Sequence, residues 1–60
     1  MKQYVIDLAN DIVANDAFNE LMKKDIKEKR AMTIKYILED YQAGLMTSYE
    51  AVYQLLSIAR

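Results

Sequence analysis

Sixty residues, a formal net charge of -1 and the absence of both cysteine and histidine exclude several classes at once. Disulfides are impossible, the usual zinc sites lack their ligands, and neither Ser–His nor Cys–His nucleophile pairs can be built. A chain this short buries only about 60% of its unfolded surface, so a partner subunit is the stabilising device that remains open to it.

The N-terminus carries one lysine, and Asp7 and Asp11 interrupt what would be the apolar region of a signal peptide. No apolar run approaches the roughly 18 residues of a membrane span. The expectation is a complete cytoplasmic chain with no membrane partner. Proline is absent, glycine occurs once, and good helix formers dominate, which predicts an all-α domain over residues 1–60 with three or four helices.

In the first segment Val5, Leu8, Ala9 and Ile12 recur at i, i+3, i+4, i+7, predicting a helix over about 2–14. Asp7 and Asp11 point away from that face. Phe18, Leu21, Met22 and Ile26 form a stripe out of phase with the first, and Asn15-Asp16 at the break suits a C-cap followed by an N-cap. Asp25-Ile26-Lys27-Glu28 reads as a further capping box. Residues 16–43 as one helix would be about 42 Å long, against a globule with a radius of gyration near 10 Å. Two helices, about 16–24 and 26–43, fit a monomer better, the second with Ile34, Ile37, Leu38, Tyr41 and Leu45 as its apolar stripe.

Gly44 can end that helix in the left-handed conformation, and Thr47-Ser48-Tyr49-Glu50 spells a capping box for the next. Together they predict a helix–turn–helix corner at residues 43–47. A last helix over about 48–60 carries Val52, Leu55, Leu56 and Ala59 on one face. Tyr49, Tyr53 and Ile58 make it apolar on other sides too, the mark of a helix buried more than once.

Three sets of residues could carry function. The carboxylate pairs Asp7/Asp11 and Asp16/Glu20 have helical spacing and could hold a hard cation, but solvated helix faces explain them better. Six of the eight basic residues fall between Lys23 and Lys35, a window of six positive against two negative charges. Lys23, Lys24, Lys27 and Arg30 are its nucleic-acid candidates, although Glu20→Lys24, Asp25→Lys29 and Lys35→Glu39 are spaced as ordinary i, i+4 pairs. The tyrosines are the third set, since a ring that buries while its hydroxyl stays wet suits an interface. Tyr41 belongs to the core stripe, whereas Tyr36, Tyr49, Tyr53 and Ile58 are the candidate partner-binding residues. Met22, Met32 and Met46 read as adaptable packing.

The pattern Tyr41-x-x-Gly44-Leu45-Met46-Thr47-x-x-Glu50-Ala51 resembles the short helical corner of small bacteriophage and mobile-element accessory proteins. The resemblance implies a compact protein that binds and modulates a host protein. The expected function is therefore a non-enzymatic interaction module without catalytic residues, cofactor or metal, acting as a regulator or inhibitor. It is expected to form a homodimer or to hold a protein partner. The alternative is a small dimeric nucleic-acid-binding regulator using residues 23–35.

Overall fold

The computed structural model describes residues 2–60. The chain is an all-α domain of three helices: α1 (Gln3–Phe18), α2 (Lys24–Gln42) and α3 (Ser48–Ala59). Each helix packs against the other two, in a body of 34 × 17 × 15 Å. The core is Val5, Ala9 and Ile12 from α1, Ile34, Ile37 and Tyr41 from α2, and Ala51 and Leu55 from α3.

The first break lies elsewhere than Asn15-Asp16. Helix α1 runs through both residues and ends at Phe18, so there is no separate helix over 16–24. Asp16 is buried on the inner face, held by a salt bridge to Arg30, and this tertiary contact overrides its preference for a cap. Asn19 makes the turn instead. Its backbone N–H donates to the Asp16 carbonyl, its side-chain Oδ1 accepts from the Leu21 N–H, and its carbonyl accepts from the Met22 N–H. An asparagine that bonds backbone two residues on is a turn former in its own right. Asp25 likewise is not the N-cap: it lies in the first turn of α2, where its carboxylate accepts from the Ile26 N–H at 2.9 Å and its charge suits the helix dipole.

The connection from α2 to α3 rests on two locally encoded devices. Gly44 has a φ of +77°, its N–H bonds to the Tyr41 carbonyl, and the Leu45 N–H bonds to the Asp40 carbonyl. That pair of bonds is the Schellman motif, which satisfies carbonyls the last turn would leave unpaired. Thr47 Oγ1 accepts from the Glu50 N–H at 3.1 Å, and a Glu50 carboxylate oxygen accepts from the Thr47 N–H at 3.3 Å. Beyond its two chain neighbours, nothing lies within 4 Å of where a Cβ on Gly44 would stand, so Gly44→Ala is disfavoured by backbone conformation alone. It is expected to destabilise by about 1 kcal/mol, and Thr47→Ala by about 1 kcal/mol through the lost cap. Urea denaturation reads both, and unchanged midpoints would contradict them.

Tyr41 ties the corner to the N-terminus. Its hydroxyl accepts from the Lys2 backbone N–H at 2.9 Å and shares a 2.6 Å hydrogen bond with the Ser48 hydroxyl. The Ser48 bond, with the Lys2 N–H second, holds the phenol below its ordinary pKa. Leu45, expected in the same stripe, lies beyond the helix end and is exposed.

Candidate partner-binding surface

Each helix has one face committed to the core, and the opposite faces differ in chemistry. On α2 that face carries Met32 and Tyr36, both more than half exposed, among charged residues. On α3 it carries Tyr49, Tyr53 and Leu56 at i, i+4 and i+7, a continuous apolar strip turned away from Ala51 and Leu55. Tyr49 is 81% exposed and nothing in the described chain covers it. Tyr49, Glu50, Tyr53 and Gln54 line a shallow recess of about 290 Å³ along this strip. Within α3, Glu50 is the sole charged residue.

The sequence-derived face of α3 was rotated from the real one. Ala51 and Leu55 form its buried centre, with Val52 and Ile58 packed at the sides, while Leu56 and Ala59 face outward. The wholly buried Ala51 lets the helix backbone approach its neighbours closely, and interaxial distance follows the size of the contact residues. Ile58 thus stands apart from the other three partner-binding candidates. Its side chain packs against the core, and its carbonyl accepts a 2.7 Å bond from Arg30.

The basic residues do not assemble into one free patch. Each nitrogen of the Arg30 guanidinium has a protein partner, Nε and Nη2 donating to the Asp16 carboxylate at 2.7 and 3.2 Å and Nη1 to the Ile58 carbonyl. Lys27 donates its ammonium to the Ala17 carbonyl at 3.1 Å, and Lys35 lies 3.9 Å from Glu39. Lys23 and Lys24 are exposed at the start of α2. Of the carboxylate pairs, Asp7 accepts from Gln3 on a solvated face. Asp16 and Glu20 are separated by the end of α1, with Asp16 turned inward. Among the described residues no three acidic side chains converge as a cation site, and no helix is long and apolar enough to cross a membrane.

One surface feature went unread in the sequence. Phe18 is 84% and Leu21 95% exposed at the α1–α2 turn, where the periodicity had placed them on a packed stripe. The signal was Asn19-Glu20 between them, which ends the helix and strands both side chains outside the core. No family model, curated protein or solved structure matches the chain.

Proposed function

We propose that this protein is a non-enzymatic interaction module that works by holding another protein chain against its outer helix faces. The observation that carries the reading is the exposed Tyr49–Tyr53–Leu56 strip on α3. Rigid aromatic side chains contribute large contact area at low entropic cost, and the cores of protein interfaces are enriched in them. Contiguous apolar exposure of this kind on a small folded chain marks a binding surface. Tyr36 and Met32 on α2 offer a second contact area. The role fits a cytoplasmic regulator or inhibitor of a host protein, of the kind carried by phages and mobile elements.

The test is photo-crosslinking in the cells the chain comes from, with a benzophenone amino acid at position 36, 49 or 53 and at the exposed polar position Asn10 as control. A discrete protein adduct at the tyrosine positions, absent at Asn10, is the expected result. No adduct at any of the three would remove the basis of the reading.

Nucleic-acid binding is expected to be weak, because Arg30, Lys27 and Lys35 already have protein partners. Real phosphate contacts would make affinity fall by about 0.9 log units per contact for each log unit of salt. A salt titration with duplex DNA and RNA checks this, and submicromolar binding at near-physiological salt that disappears in Lys23→Gln/Lys24→Gln would overturn it.

A further inference from the structure

We infer that the occupant of the α3 strip is the α3 strip of a second copy, the two helices lying antiparallel about a two-fold axis near residues 54–55. The inference rests on the interaction-module reading and names the partner. Tyr49, Tyr53, Leu56 and Arg60 follow a 4–3–4 spacing, which is the seam of a helix pair. In an antiparallel pair the seam positions alternate. Tyr53 of one copy then meets Leu56 of the other, and Tyr49 meets Arg60.

Charge decides between a second copy and other occupants, and between the two orientations. The recess lined by Tyr49, Glu50, Tyr53 and Gln54 presents aromatic rings beside a carboxylate, an environment that suits a guanidinium. The same strip carries such a group, Arg60, at its opposite end. Antiparallel pairing brings each Arg60 to the other copy's Glu50 and Tyr49, so both charges on the strip are matched twice. Parallel pairing would set Arg60 on Arg60 and leave each Glu50 flanked by Val52 with no basic neighbour. Helix dipoles also oppose in the antiparallel arrangement. At the flanks, Val52 comes beside Ala59, and Glu50 beside Ser57, with no like charges in contact.

A helix of 12 residues is about 18 Å long, so the contact is small by interface standards. A dissociation constant on the order of 10 μM is expected. Sedimentation of the purified chain from micromolar concentration to about 1 mM should show a monomer–dimer equilibrium, unchanged in Tyr36→Glu and weakened at least tenfold in Tyr53→Glu. Both positions are exposed, so circular dichroism should show the fold retained. Glu50→Lys and Arg60→Glu should each weaken the dimer several-fold, and the double variant should regain wild-type affinity. That recovery cannot come from the helix cap, because the double variant lacks the Glu50 cap as well. The chain has no cysteine of its own, so mixed Tyr53→Cys and Leu56→Cys chains provide a second readout. They should form a disulfide with each other in preference to either with itself.

A monomer at 1 mM would overturn the inference, as would a dimer insensitive to Tyr53→Glu or a double variant weaker than both singles. A crosslink from position 53 to a different protein, with the purified chain monomeric, would overturn the self-pairing alone and leave the interaction-module reading in place.

Discussion

Arg30→Met is expected to destabilise the fold by about 3 kcal/mol, a large part of the roughly 3–9 kcal/mol that a domain of this size has in total. Arg30 joins all three helices: from α2 it holds Asp16 of α1 through two nitrogens and the Ile58 carbonyl of α3 through the third. The Ile58 carbonyl belongs to the last turn of α3, where carbonyls have no intrahelical donor and the turn itself holds no basic residue. Asp16 lies near the C-terminus of α1, where its charge opposes the helix dipole, so the arginine offsets a local conflict as well. Removing it leaves a carboxylate whose side chain is 11% exposed without a counter-charge.

The way in which the pair fails is specific. Asp16→Leu alone leaves the guanidinium with one acceptor and should lose about 2–3 kcal/mol. Asp16→Leu/Arg30→Met should recover much of the loss, since replacing both members of a buried pair by apolar residues is often near neutral. Recovery should still be incomplete, because the Ile58 carbonyl has lost its donor. Arg30→Lys should rescue little, as a single ammonium cannot reach the carboxylate bidentately and the carbonyl together. Urea denaturation of the four variants decides it, and strictly additive losses in the double would show that the two side chains act independently.

This pair also explains which parts of the fold were legible in the sequence. The caps at the α2–α3 connection were readable because their determinants are local: Gly44 needs a left-handed φ, and Thr47 and Glu50 bond each other three residues apart. The α2 core face was readable because Ile34, Ile37 and Tyr41 repeat at helical spacing over a long element. The α1 boundary was not, because Asn15-Asp16 resembles a cap by itself and becomes helix interior only through an arginine 14 residues away. Phe18, Leu21 and Ile26 imitate a helical stripe, yet they straddle a turn and stay outside. Of the candidate surface, the exposure of Tyr36 follows from its position opposite the Ile34, Ile37 and Leu38 stripe. That of Tyr49 and Tyr53, on a flank of the sequence-derived face, shows only once Ala51 and Leu55 stand at the centre of α3. Arg30 stands among the phosphate contacts of the alternative reading because sequence registers its charge and not its partners.

Leu55→Ala and Leu56→Ala should differ as much as two neighbouring, chemically identical substitutions can. Leu55 is fully buried at the centre of the three-helix contact, and Leu56 is 47% exposed on the outer strip. The sequence pattern gives them equal standing on one face. Truncating Leu55 removes its buried methyls and leaves a cavity that the short helix cannot close, at about 3 kcal/mol. In a domain of 60–100 residues each kcal/mol shifts the melting midpoint by roughly 4–8 °C, so a fall of more than 10 °C is expected. Truncating Leu56 should change the monomer's stability by no more than about 0.5 kcal/mol, within the range of ordinary surface substitutions. Its effect should appear instead at high protein concentration, where the proposed pairing should add thermal stability to wild-type chains and less to Leu56→Ala chains. Melting curves at about 5 μM and about 500 μM separate the two. Equal losses at low concentration would place both leucines in the core and would remove Leu56 from the binding strip.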